Sequence, residues 1–361
     1  MNKEKVGIGI IGTGFARRVQ IPAFAACENA EIVSVASGSI ENAKAAAAEF
    51  EIAQFTDDWR ETVDNPDVDL VCITTPPAMH FEQTLYAISK GKHILCEKPM
   101  AMNRREAEEM TAKARDKNVL ALIDHELRFQ NGRQKAFEML RSGAIGKIRH
   151  AKANFRAPQR GDANLPWNWW SDKKAGGGAL GAVVSHSVDS LLWFLGAEIS
   201  SVFCQLQTHV KTRKDQNGEL REVTTDDESN LVLRFADSDL TTDATATVSA
   251  SMVEYPKYQN RIEFFGTKGA IRVEALGEIF VGKAGETDWT EIETDKGTNV
   301  AGAPETGFAR GFMNFAPKII EAIRAGSSSI EYAATFEDGL KVQKVLDAAR
   351  VSDESGGLIK I

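Results

Sequence analysis

Val6-Gly7-Ile8-Gly9-Ile10-Ile11-Gly12-Thr13-Gly14 is the stretch that decides the fold. Residues 6–11 form a near-continuous apolar run, the pattern of a strand buried on both faces. The run breaks at Gly12 and a helical segment follows. Gly12 permits a tight turn, and Gly14 lets the backbone approach a pyrophosphate. The helix N-terminus then offers free N–H groups and the positive end of its dipole. A G-x-G alone is a weak signal. Its place here, after a buried strand and before a helix, is the context the motif demands. Thr13, Phe15 and Ala16 share that turn and are candidate dinucleotide contacts. The full fingerprint has a third glycine where this chain carries Arg17. That change either loosens helix–strand packing or sets a cation near the phosphates.

Outward from this turn the pattern alternates. Strands are expected at 32–36, 70–73, 93–96 and 120–123, with helices at 41–49, 79–89 and 103–116. Such alternation argues a parallel, doubly wound sheet. After residue 125 the texture changes. One helix at 133–141 is followed by alternating apolar and polar runs at 148–155, 202–210, 229–235, 241–250, 261–265 and 270–273. Polar residues 211–228 read as an exposed hairpin tip, and 308–324 and 336–350 as C-terminal helices. The predicted architecture is an α/β Rossmann domain over 1–124. Behind it comes an α+β domain over 125–361 with a large, open, mostly antiparallel sheet. A C-terminal helix has room to pack back on the first domain.

The strand at 32–36 runs into Ser37-Gly38-Ser39 with no acid. A carboxylate there would bind the adenosine ribose 2′-hydroxyl and repel a 2′-phosphate. Its absence, with Arg17 and Lys44 nearby, favours NADP, with NAD as the alternative. Ser37 is the candidate contact.

The 361-residue chain has a net charge of −8 and no basic block, which argues against nucleic acid as a partner. Its four cysteines form no C-x-x-C pair, and three lie in apolar runs, as small buried hydrophobes in a reducing compartment do. The first apolar run is too short for a signal sequence, and no run is long enough to span a bilayer. These features point to the cytoplasm. No spacing of His, Cys or acids suits a metal, so none is expected.

Thr75-Pro76-Pro77-x-x-His80 follows a strand, and Cys96-Glu97-Lys98-Pro99 follows the next. Further on stand Gly176-Gly177-Gly178, His186-x-x-Asp189 and Thr335-Phe336-Glu337-Asp338-Gly339-Leu340. Together these resemble the glucose–fructose oxidoreductase / inositol dehydrogenase / MocA family along essentially the whole chain. The resemblance implies oxidoreduction of sugars, polyols or their derivatives. It implies a second domain that forms a homo-oligomer through its sheet. Lys98 would be the catalytic lysine, and Glu97 the partner of the nicotinamide ribose. Thr75, Pro76 and His80 would lie on the cofactor side.

The chemistry agrees with this. Hydride transfer at a carbon bearing oxygen needs a proton donor or acceptor at that oxygen. Lys98 stands at the carboxyl end of a strand, where ligands bind in open α/β sheets. His186 is the second candidate, for proton relay or for holding the substrate hydroxyl, with Asp189 one turn further on the same helix face. Inositol-dehydrogenase-like members carry an Asp four residues before this histidine. Here it is Ala182, which argues against inositol. His125, Arg128, Arg156 and Trp169 are further substrate candidates. Two other functions are compatible with the same residues. One is an NAD-dependent glycosidase working by transient oxidation, and the other a non-catalytic dinucleotide and sugar sensor.

Overall fold

The computed structural model describes residues 4–300 and 302–361. It divides into two units. The first comprises the chain up to Gln130 together with Gly297–Leu340, and the second comprises Asn131–Lys296 with Lys341–Ile361.

The first unit begins β1 (Val6–Ile11), α1 (Ile21–Ala25), β2 (Ala30–Ala36), α2 (Ile40–Phe50), β3 (Gln54–Thr56) and α3 (Trp59–Asp64). It continues β4 (Leu70–Ile73), α4 (His80–Ser89), β5 (His93–Cys96), α5 (Arg104–Lys117) and β6 (Ala121–Ile123). The six strands are parallel in the order β3-β2-β1-β4-β5-β6. The order reverses between β1 and β4, the place where doubly wound sheets hold ligands beyond their carboxyl ends. Every residue of β1 and β4 is buried, as their unbroken apolar runs require.

The second unit holds α6 (Asn131–Arg141), β7 (Ile148–Arg156), α7 (Ser185–Leu195), β8 (Ile199–Gln207), β9 (Thr212–Lys214), β10 (Leu220–Glu222) and β11 (Glu228–Phe235). It continues β12 (Thr241–Ser251), β13 (Gln259–Gly266), β14 (Gly269–Val273), β15 (Ile279–Lys283) and β16 (Thr290–Ile292). Two helices follow in the chain, α8 (Gly307–Ala325) and α9 (Phe336–Ser355), and then β17 (Ile359–Lys360). The sheet runs β16-β15-β14-β13-β7-β12-β11-β8-β17, with β7–β12 its parallel pair and the other pairings antiparallel. Residues alternate between buried and open along β11, where Ser229, Leu231, Leu233 and Phe235 are buried while Val232 and Arg234 are exposed.

Two expectations change. The division expected at 124/125 lies after Gln130, and α8 belongs to the first unit. A parallel sheet needs cover on both faces. The α8 residues Phe312, Phe315 and Ile319 supply part of it, packed in one core with Ile8, Ile10 and Leu95. Phe312 meets Phe24 edge-on at 5.4 Å and Phe315 stacks on Phe129 at 4.1 Å. Nor is 211–228 an open tip throughout. It contains the β9–β10 hairpin, and Arg213 on β9 is 2% exposed because it donates to the carbonyls of Arg160, Asp162 and Leu165. Contrary to the expectation that no run is long enough, residues 173–195 pass by length and composition as a membrane span, but 83% of their most apolar 18-residue window is buried inside the protein, as for a core helix.

The Thr335–Leu340 motif has a docking role. Thr335 bridges to Leu122 beside β6, and Asp338 Oδ2 accepts from the Thr335 N–H and hydroxyl, each at 2.9 Å. A Cβ on Gly339 would stand 2.8 Å from Ile123 and Met100, so only glycine lets the helix start this close.

Candidate active site

The glycine turn is sewn to its neighbours. Gly12 has φ +98°, and its N–H donates to Ala36 O at 2.8 Å. Thr74, just past β4, donates its N–H to Ile11 O at 2.7 Å and its hydroxyl to Gly12 O at 2.8 Å. A Cβ on Gly12 would lie 2.7 Å from the Thr74 backbone, whereas one on Gly14 would meet nothing within 4 Å. Gly12 therefore serves the turn, and Gly14 keeps the space in front of the helix N-terminus open. Open space before a helix N-terminus fits a dinucleotide pyrophosphate.

The neighbouring residues divide by direction. Ala16 is fully buried in the core, and half-buried Phe15 packs against that core. Residues Ala16–Gln20 widen into a π-turn at the place where the third glycine is missing. Arg17 forms an ion pair with Glu49 on α2, so its charge is committed there and not to the phosphates, contrary to one expectation. Thr13 Oγ1 and Ser37 Oγ stand 3.4 Å apart at the ends of β1 and β2. Ser39 caps α2 and donates to the Glu41 carboxylate at 2.6 Å.

The ends of β4 and β5 carry the chemistry. The Thr75 hydroxyl donates to Gln83 Oε1 at 2.7 Å, and Pro76 leads into the turn before α4. His80 departs from the expected ligand contact. It is fully buried, with Nδ1 3.0 Å from Pro99 O and Nε2 2.9 Å from Thr75 O. Burial lowers its pKa to about 4, and the neutral ring, with one N–H, donates to one of these two carbonyls and packs against the other. Glu97 follows β5 with its N–H on Ile73 O at 2.9 Å, and its carboxyl is buried. Lys98 Nζ stands 3.7 Å from Glu97 Oε2, with 19% of the lysine side chain open. Burial pushes the Glu97 carboxyl up, and the Lys98 charge opposes that.

Behind Glu97 lies a layer that the sequence reading missed. The Gln20 Nε2 donates to Glu97 Oε1 at 3.3 Å and to Asp124 Oδ2 at 2.8 Å. Asp124 is fully buried, and burial, together with the charges of Glu126 and Glu97, drives its pKa well up. An acid directly after β6 was a usable signal for Asp124. Nothing in the sequence marks Gln20.

Two expected substrate residues of this unit are buried. His125 is 2% exposed. Arg128 is 4% exposed and donates to Tyr332 O at 3.4 Å, with its other nitrogen 3.6 Å from Asp338 Oδ1, so it anchors the chain leading into α9.

In the second unit, His186 and Asp189 lie one turn apart on α7, both buried. Ala182 sits in the π-turn Leu180–Val184 that leads into α7, with no carboxylate of its own to offer. Arg133, which the sequence reading passed over, is 2% exposed and donates to Ser190 Oγ at 2.9 Å on the same helix. Arg156 is committed to the sheet. It pairs with Glu254 and donates to Ser249 O at 2.7 Å and Ser249 Oγ at 3.0 Å, which removes it from the free cations expected for substrate. Trp169 is half-buried against Trp170, their rings 5.6 Å apart. Among the described residues no cluster of His, Cys and acids could hold a metal ion.

Known proteins match both units of the chain. Residues 6–125 match the oxidoreductase family with an NAD-binding Rossmann fold, and 133–272 match the GFO/IDH/MocA C-terminal domain. An uncharacterised oxidoreductase of Synechocystis sp. is 31% identical over 266 residues, covering 73% of this chain and 70% of the relative. Levoglucosan dehydrogenase of Pseudarthrobacter phenanthrenivorans is 29% identical over 382 residues, covering 96% and 95%. A solved levoglucosan dehydrogenase in complex with NADH and L-sorbose superposes with a TM-score of 0.89 at 27% identity, covering 99% of each chain. With both units matched, the chain belongs to the GFO/IDH/MocA family of NAD-binding oxidoreductases.

Proposed function

We propose that this protein transfers hydride between NAD and a CH–OH carbon of a sugar, polyol or sugar derivative. Lys98 is the general acid and base, and His186 assists it. The observation that carries this reading is Lys98 itself: a partly open ammonium beside a buried carboxylate at the carboxyl edge of the sheet. The bound nicotinamide supplies the hydride acceptor. Lys98 takes the hydroxyl proton in oxidation and returns it in reduction. Glu97 holds the lysine in place, and the open space at Gly14 admits the pyrophosphate. The sugar class is supported by the levoglucosan dehydrogenase complex with NADH and L-sorbose.

The cofactor reading moves from NADP to NAD. Arg17 is neutralised by Glu49, and the Glu41 carboxylate sits beside the loop after β2, where a 2′-phosphate would be repelled. A panel of sugars and polyols, followed by NADH or NADPH absorbance, tests both points. The expected result is turnover of at least one sugar or polyol, with kcat/KM for NAD about tenfold or more above that for NADP, about 1.4 kcal/mol. Turnover of none of the panel would leave a dinucleotide-binding sensor, and faster NADP turnover would reverse the cofactor reading.

The open face of the sheet supports a homo-oligomer. Val232 and Phe203, register partners on β11 and β8, are 49% and 40% exposed. Sedimentation should give a multiple of the 39.4 kDa chain, and a monomer would contradict this. The cytoplasmic assignment is supported by four free cysteines, three of them buried.

A further inference from the structure

We propose that Gln20 and Asp124 form a positioning layer behind Glu97 and Lys98, in which Asp124 is a neutral acid that donates a hydrogen bond to Glu97. The geometry demands a shared proton. Gln20 is 0% exposed, and its amide nitrogen has two hydrogens, one for Glu97 Oε1 and one for Asp124 Oδ2. That exhausts Gln20 as a donor. Among the described residues no hydrogen-bond partner reaches Asp124 Oδ1. The one Gln20 amide nitrogen thus holds the two buried carboxyls side by side, and the Glu97 charge works against ionising Asp124. Two buried carboxylates side by side cannot both stay ionised, and a single proton between them removes the repulsion.

The surroundings decide which carboxyl keeps the proton. Glu97 faces the Lys98 ammonium, which favours its charge. Asp124 faces Glu97, the acid Glu126 on the following turn and the Cys72 thiol on β4, with Gln20 its single amide donor. Burial raises its pKa well above the carboxylate range, and the charges of Glu126 and Glu97 add to that rise. The proton therefore sits on Asp124, and the chain Asp124–Glu97–Lys98 fixes the carboxylate that aims the lysine. Asp124 touches no substrate in this scheme and acts through Glu97. The consequence for Lys98 rests on the proposed function, whereas the protonation of Asp124 does not.

Infrared spectroscopy of the full-length protein with carboxyl-labelled aspartate tests the protonation without needing turnover. At neutral pH a label-shifted band of a protonated carboxylic acid is expected, absent from Asp124→Asn. A labelled protein with no such band would overturn the proposal, whether or not any sugar is turned over. Kinetics then test the positioning. Asp124→Ala is expected to lower kcat by about 10–100-fold, the scale of a misplaced catalytic group. Asp124→Asn, which can still donate to Glu97 and accept from Gln20, should recover most of that loss with the pH profile in its wild-type position. If Asp124 were ionised, Asp124→Asn would remove a negative charge near Lys98 and move the Lys98 limb to lower pH. That shift, or the absence of rescue, would overturn the positioning role.

Discussion

Lys98→Ala is expected to lower kcat/KM by about 10²–10⁴-fold, the usual contribution of a general acid or base, while NADH still binds. In the proposed function the pyrophosphate meets the Gly12–Gly14 turn and the helix behind it, which the substitution does not touch. The proton job belongs to the ammonium 3.7 Å from Glu97 Oε2. Lys98→Arg sharpens the test. It keeps the positive charge, but a guanidinium does not give up its proton in proteins. If Lys98 only fixed charge, arginine would restore turnover. If it moves a proton, arginine stays within about tenfold of alanine. Steady-state kinetics with NADH titration of each variant decides between these.

The second large effect is a contrast between two glycines two residues apart. Gly12→Ala forces an L-residue to φ +98° and puts its Cβ 2.7 Å from the Thr74 backbone. The conformation alone costs about 1–2 kcal/mol, and the backbone overlap must also be relieved by moving the turn away from β4. NADH affinity is expected to fall by about 100-fold, some 2.7 kcal/mol, with a lower midpoint of thermal unfolding. Gly14→Ala meets open space, so the free protein should unfold at the wild-type temperature. Its Cβ stands where the pyrophosphate approaches, so NADH should still bind more weakly. Equal loss of stability in both variants, or wild-type binding by Gly14→Ala, would contradict the division of roles.

Much of the first unit was legible because it is local. The Gly12 turn, the apolar runs of β1 and β4 and the following helices each carry their own periodicity, and the parallel order follows from alternation. The site was legible where a motif sits at a strand end, as Lys98 does. It was illegible where a residue's partner lies far along the chain. Arg128 reads as a substrate cation until Asp338 and Tyr332 claim it, and Arg156 until Glu254 does. His80 reads as a ligand until its ring is found between two backbone carbonyls. Arg17 reads as a phosphate contact until Glu49 arrives from α2. In each case the spare charge or donor is absorbed by long-range packing, which composition and spacing do not encode. Gln20 is the converse. A polar residue inside a helix gives no signal, and its role exists because Glu97 and Asp124 converge on one amide.

The central claim is that hydride passes from a sugar or polyol carbon to the nicotinamide. Its most direct test is a panel of sugars and polyols carrying deuterium on their carbinol carbons, incubated with NAD and followed by mass spectrometry of the dinucleotide. One deuterium per NADH formed, in step with oxidised sugar, is the predicted result. Label that stays in the sugar, or that washes into water without net NADH, would contradict it.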